Sequence, residues 1–164
     1  MREIQLTKGY VALVDDEDYE SISVYKWYAM VVTRTDGSFS VYAQSKIKKL
    51  DGNYITQGLH RIIMNASVGM QVDHINGNPL DNRRTNLRIC SHSENQQNQR
   101  HKSGGTSKFK GVSWAKNSRK WRAQIRINWK VKCIGEFETE QEAAIAYNAA
   151  AFLLHGEFAS INVL

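Results

Sequence analysis

Residues 70–95 read Met70-Gln71-Val72-Asp73-His74-Ile75-Asn76-Gly77-Asn78-Pro79-Leu80-Asp81-Asn82-Arg83-Arg84-Thr85-Asn86-Leu87-Arg88-Ile89-Cys90-Ser91-His92-Ser93-Glu94-Asn95. Val72 to Ile75 has the character of a short strand running into Asn76-Gly77, a pair that favours tight reversals because both residues tolerate positive φ. Asp73 and His74 then lie at a strand end. After a polar loop of Asn, Asp and Arg, Leu87-Arg88-Ile89-Cys90 returns as the partner strand, with Asn86 at its start. Ser91-His92-Ser93-Glu94 has the form of a capping box, Ser91 as N-cap and Glu94 at N3, and predicts a helix whose first turn holds Asn95.

This order of strand, strand and helix, with Asp73-His74, Asn86 and Asn95 at its marked positions, resembles the ββα-metal core of the HNH endonucleases, in particular the phage and intron homing type. The resemblance implies that Asp73 and Asn95 hold one divalent cation and that His74 is the general base. It also implies that Asn86 fixes the loop that orients His74. Asn95 follows Asp73 by 22 residues, a spacing that suits the compact, H-N-N form of the family.

Phosphodiester hydrolysis asks for the same residue types on chemical grounds. It needs an activated water and a hard cation to neutralise charge on the phosphate and on the departing 3′ oxygen. An Asp carboxylate and an Asn carbonyl are oxygen donors, suited to Mg²⁺, with Mn²⁺ as the alternative; Mg²⁺ takes one or two protein oxygens and keeps several waters. A neutral imidazole, with an ordinary pKa of about 6.5, accepts the water's proton at physiological pH, so activity should fall on the acid side. Each residue also has a plainer reading. Asn76, Asn78 and Asn82 read as turn formers, and His92 as a solvent-facing residue of the helix's first turn.

The chain has 164 residues and a formal charge of +6, with a pI near 9.4, enough for one medium domain or two small ones. A hydrophobic share of 41% excludes a largely disordered chain. Cys90 and Cys133 form no CxxC pattern, so neither a disulfide framework nor a structural zinc site is indicated, and a reducing cytoplasm, that of a bacterial host for a phage protein, fits. The amino terminus has no apolar signal core. Residues 143–154, the most apolar run, fall well short of the roughly 20 residues that span a bilayer. No membrane role follows.

Residues 1 to about 59 look β-rich, with strand-like runs at Tyr10 to Val14, Tyr25 to Val32 and Ser40 to Ala43, and turns at Asp36-Gly37 and Asp51-Gly52. Such a segment resembles the leader of many phage HNH proteins, where it builds a sheet beside the nuclease core. Asp15-Asp16-Glu17-Asp18 reads as solvated turn or helix-cap residues. Gly58 to Met64 predicts a short helix carrying a His60-Arg61 pair that resembles one upstream of the family's hairpin; Arg61 has the reach of a phosphate ligand, and His60 reads as structural. After Asn95 the polar run to Gly104-Gly105 predicts a frayed helix and a domain boundary, giving a leader and nuclease domain at 1–100, a linker at 101–106 and a second domain at 107–164.

The second domain reads strand, strand, strand, helix. Lys120 to Asn128 alternates strictly: Trp121, Ala123, Ile125 and Ile127 face a core, while Lys120, Arg122, Gln124, Arg126 and Asn128 face away. Ile134 and Phe137 share a face only with a bulge near Gly135. Thr139-Glu140-Gln141-Glu142 is a second capping-box pattern, opening an alanine-rich helix that Gly156 is placed to stop. Between His101 and Gly135 there are ten Lys and Arg, including Lys110, Lys120 and Lys132, and no Asp or Glu. A surface of one sign attracts phosphates by counterion release.

Phe109 to Trp114, Trp121 to Arg126, Ile134 to Ala144 and Ala146 to Ala150 resemble the Apetala-type, or ethylene-response-factor, DNA-binding domain over about Ser107 to Val163. In that family the sheet enters the major groove. The resemblance puts Lys110, Gln124 and Arg126 at DNA-contacting positions, and the alternation adds Arg122 and Lys120, with Lys132 on the neighbouring strand. Ser113 stands where Arg is usual and Cys133 where an exposed Trp is common, so the plant target sequence does not transfer. Trp114 reads either as a substitute contact or as core.

These observations predict an α+β protein: a β-rich leader and a ββα-metal HNH core, followed by a small three-stranded antiparallel sheet packed on one helix. They predict a metal-dependent DNA endonuclease acting on double-stranded DNA; the alternative is a non-catalytic DNA-binding regulator that keeps a degenerate nuclease fold. A basic sheet fits the B-DNA major groove and has no ready entry into the deep groove of A-form RNA. No protein partner is predicted, and no exposed apolar face is long enough to predict a homodimer.

Overall fold

The computed structural model describes residues 1–34, 36–98, 105–127 and 129–164. The chain divides into two compact units, Met1–His92 and Ser93–Leu164. That division falls inside a helix, ahead of the expected linker, of which residues 101–104 lie outside the described set.

The first unit begins with an antiparallel ribbon of β1 (Arg2–Gln5) and β2 (Val11–Val14), followed by α1 (Asp16–Ser23). Three antiparallel strands come next in the order β3 (Tyr28–Thr33), β4 (Phe39–Lys48), β5 (Tyr54–Gly58). Their connections are tight because Gly37 and Gly52 take φ of 81° and 86°, while Asp36 and Asp51 accept from the backbone N–H two residues on. Such Asx turns need a short acceptor followed by a residue free to enter the left-handed region. A short α2 (Leu59–Ile63) leads to the hairpin of β6 (Gln71–His74) and β7 (Leu87–Cys90).

One hydrophobic core runs through this unit. Ile4, Val14, Ile22, Trp27, Val41, Leu59, Val72 and Leu87 are all buried in a single cluster. The leader and the hairpin therefore do not fold as separate modules, because each supplies apolar surface that the other covers.

α3 (His92–Asn98) spans the division, and the second unit contains β8 (Val112–Ala115), β9 (Lys120–Ile127) and β10 (Lys130–Phe137), with β9 in the centre. The register slips between Cys133 and Gly135, the bulge that the positions of Ile134 and Phe137 require. α4 (Glu140–His155) starts in a full capping box: the Glu142 N–H donates to Thr139 Oγ1 at 3.2 Å and the Thr139 N–H donates to the Glu142 carboxylate at 3.1 Å. Its buried stripe of Ala143, Ala144, Tyr147 and Ala151 packs with Val112, Ala123 and Ile125. Small side chains at helical spacing let helix and sheet approach closely.

The fold is thus mixed α and β, and among the described residues its strands form four small antiparallel sheets. No helix among the described residues is long and apolar enough to cross a membrane.

Candidate active site

Strand β6 does not alternate between core and solvent: Val72, Asp73 and His74 are all buried. A carboxylate and an imidazole in that position must be satisfied by protein groups. Asp73 faces its cross-strand partner Arg88, whose Nε and Nη2 donate to Oδ2 at 3.0 and 2.7 Å. Both side chains are largely removed from water, and each meets the other in a short charge-assisted pair.

His74 ends the strand, 7% exposed, with Nε2 3.3 Å from Asn82 Oδ1. Its ring meets the His60 ring edge-on, 5.2 Å between centroids. Burial pulls the His74 pKa below its ordinary value, opposed by the hydrogen bond that the ring donates to Asn82 and by the charges of Asp73 and Asp81. Burial also lowers His60, to about 3, with His74 and Arg61 adding to the effect. Both rings are therefore neutral near pH 7. His60 fits where it does because Gly58 has no side chain; a Cβ there would lie 2.6 Å from the imidazole.

The loop between the strands is tied by Asn86. Its backbone oxygen accepts from the Ile75 N–H, its Oδ1 from the Asn76 N–H (both 2.9 Å), and its Nδ2 donates to the Asp81 carbonyl at 2.8 Å. One side chain thus joins the exit of β6 to the middle of the loop. Asn76 and Asn78 are turn formers, each accepting from the N–H two residues on. Asp81 is buried between Asn76 and Arg83, and the Arg83 guanidinium holds its carboxyl below the usual range.

Two contributions from the leader were not visible in the sequence. Strand β2 grips the loop: the Leu13 N–H donates to Leu80 O and the Asn82 N–H donates to Leu13 O, both at 2.8 Å. The acidic run does more than face solvent. Asp15 accepts from the Arg84 backbone N–H at 2.8 Å, and buried Asp18 takes the Arg84 guanidinium through both oxygens at 2.9 and 2.6 Å. Arg61 differs from its expected part as well, because its guanidinium donates to the carbonyls of Met70, Ala66 and Ser67. It shapes the approach to β6 and is not turned to a phosphate.

Asn95 is half-buried on α3, in the second unit. His92 is exposed and lies 3.0 Å from the Gln71 amide through Nδ1. Among the described residues no group of three or more His, Cys, Asp or Glu side chains gathers where it could hold a metal ion. Magnesium does not require one, since one or two protein oxygens suffice.

On the second unit the register separates the expected DNA contacts. Cross-strand partners share a face, so Arg122, Gln124 and Arg126 point away from the helix together with Ser113, Val131 and Cys133. Lys132 pairs with buried Ile125 and so lies on the opposite face, apart from the others. The cationic surface is not of one sign either: just beyond Gly135, Glu136 takes Arg122 at 2.7 Å and Glu138 takes Lys120 at 2.7 Å. Among the described residues Arg126, which is exposed, has no carboxylate partner. Lys110 is half-buried with Nζ donating to Gln97 O at 2.5 Å, and burial lowers its amine to about 8. Trp114 pairs with Trp121 across the strands, edge to face at 5.2 Å, at the rim of the core side.

A family model described as HNH endonuclease matches residues 57–97, the span from the end of β5 to α3. A protein of Acanthamoeba polyphaga mimivirus described as an uncharacterized HNH endonuclease is 31% identical over 161 residues, 94% of this chain and 76% of that protein. The chain belongs to the HNH endonuclease family. Protein 3.8 of Escherichia phage T7 is 34% identical to this HNH protein over 91 residues, 56% of the chain and 74% of the phage protein. An ethylene-responsive transcription factor of Arabidopsis thaliana is 45% identical over 56 residues, 33% of the chain and 30% of the plant factor. No solved structure matches.

Proposed function

We propose that the chain is a divalent-metal-dependent endonuclease of the homing type that hydrolyses phosphodiester bonds in double-stranded DNA, with its carboxy-terminal sheet supplying affinity and part of the sequence choice. The observation that carries this reading is a neutral, buried His74 beside the Asp73 carboxylate, on a loop tied down by Asn86.

Asp73 and Asn95 would hold the cation, Mg²⁺ in preference to Mn²⁺, which when bound supplies charge neutralisation on the phosphate and the departing oxygen. His74 takes the proton of the attacking water, and its neutral state leaves it ready to do so without first losing a proton. Asn86 holds the residues that follow His74 in place. Arg88 holds the Asp73 carboxylate in place inside the protein, so it is preorganised as an oxygen donor.

The pH dependence of cleavage tests the role of His74. Its pKa is lowered by burial, so the base form persists below the ordinary imidazole range. Single-turnover rates between about pH 5 and 8 should stay flat through about 6.5 and fall only at lower pH. A rate that rises through pH 7 as a single ionisation would contradict the assignment.

For the second unit, Arg126 has no carboxylate partner among the described residues, whereas Arg122 must first part from Glu136. Arg126→Ala should cost about 1–3 kcal/mol of DNA binding, and Arg122→Ala less. Fluorescence anisotropy across a salt series reads both. Equal losses for the two variants would mean that the Glu136 pair does not restrain Arg122.

A further inference from the structure

We infer that Asn82 positions His74 by fixing its imidazole as the tautomer with hydrogen on Nε2 and the lone pair on Nδ1. This rests on the reading of His74 as the base, and it names which nitrogen does the work and what sets it.

Asn82 is only 1% exposed, among the largest fully buried side chains of the chain. A residue that merely formed a turn would have no need of that burial. Its amide has two ends and both are engaged: Nδ2 donates to the Pro79 carbonyl at 3.2 Å, and Oδ1 lies 3.3 Å from His74 Nε2. Turning the amide over would set Oδ1 against the Pro79 oxygen, acceptor facing acceptor, in a place that water does not reach. The Pro79 carbonyl therefore fixes the amide's direction. Oδ1 can only accept, so the nitrogen it meets must carry the hydrogen. A neutral imidazole has one N–H, which leaves the lone pair on Nδ1.

The amide is held from behind by the leader. The Asn82 N–H donates to Leu13 O, and the Leu13 N–H to Leu80 O, so the segment from Pro79 to Asn82 rests on β2. The amino-terminal ribbon thereby reaches the reaction through one side chain. A partner of this kind fixes orientation and tautomer without touching the substrate, and losing it costs about 10–100-fold in comparable sites.

The test uses the full-length chain labelled with ¹⁵N, with the His74 ring nitrogens read by two-bond ¹H–¹⁵N correlation at about pH 8, where a free imidazole is neutral. The His74→Gln variant assigns the signals. The wild type should show hydrogen on Nε2. Asn82→Leu, close in volume but without an acceptor, should lose that preference and lower kcat about 10–100-fold with KM unchanged. Hydrogen on Nδ1 in the wild type overturns the inference, as does an Asn82→Leu protein with unchanged tautomer and kcat. If Asn82→Leu does not fold, the wild-type spectrum decides. Should the wild type fail to cut DNA, the nuclease reading fails, while the spectra still report whether Asn82 sets the tautomer.

Discussion

Replacing His74 by Ala or Gln should lower strand cleavage by about 10²–10⁴-fold, the range that a positioned general base contributes, while DNA affinity stays within about twofold because the residue makes no backbone-neutralising contact. The neighbouring imidazole does not substitute. The His60 ring is packed beside Gly58 and edge-on to His74, and its own pKa of about 3 makes it a weak base. The Gln variant matters because His74 is buried and hydrogen-bonded. Ala leaves a void and an unanswered Asn82 oxygen, which together cost stability, whereas Gln retains volume and a donor. Folded His74→Gln with full cleavage would remove His74 from the reaction.

The second large effect is expected at Gly111. Its φ is +75°, and a Cβ built there would strike the Tyr147 ring and lie 2.6 Å from the Gln124 carbonyl oxygen. The Gly111 oxygen also accepts from the Gln124 N–H at 2.8 Å, so the strand cannot retreat without losing that bond. Gly111→Ala therefore combines left-handed strain of ~1–2 kcal/mol with overpacking of ~1–3 kcal/mol, and should destabilise the second unit by roughly 2–5 kcal/mol. That is a large part of the 5–15 kcal/mol typical of a domain. Gly156→Ala is the control in the same unit: its φ is +54° but nothing lies within 4 Å of the added carbon, so only the backbone strain applies. Thermal unfolding followed by tryptophan emission compares the two, since Trp114, Trp121 and Trp129 all belong to the second unit. Equal midpoints would show that Gly111 is not closely packed.

Much of the hairpin was legible because its signals are local. Leu87–Cys90 forms β7 at the expected residues, the helix after Ser91 begins at His92, and Asn76 and Asn78 make the turns their side chains favour. In the second unit the alternation along β9, the bulge at Gly135 and the capping box at Thr139 all follow from patterns within a few residues. What the sequence hid is held together over long separations. The bond from the Arg84 N–H to Asp15 spans 69 residues, and the grip of Leu13 on Leu80 and Asn82 depends on backbone atoms that every residue type shares. Asn82 looked like its neighbours because an Asn code for a turn and an Asn code for a buried acceptor are the same letter. The face of Lys132 was hidden for another reason: net charge says nothing about which face of a strand carries it, and only the pairing with Ile125 decides. Likewise, the acids that neutralise Arg122 and Lys120 lie just past the acid-free stretch, brought alongside by the β10 register.

The most direct measurement is the fate of supercoiled DNA carrying the natural host locus, incubated with the wild-type chain in the presence of Mg²⁺ and, in parallel, with a chelator. Conversion to nicked or linear DNA with Mg²⁺ alone, with cuts at a defined position, is the expected result. DNA that is bound but stays supercoiled with both Mg²⁺ and Mn²⁺ would contradict the account and leave a protein that recognises DNA without cutting it.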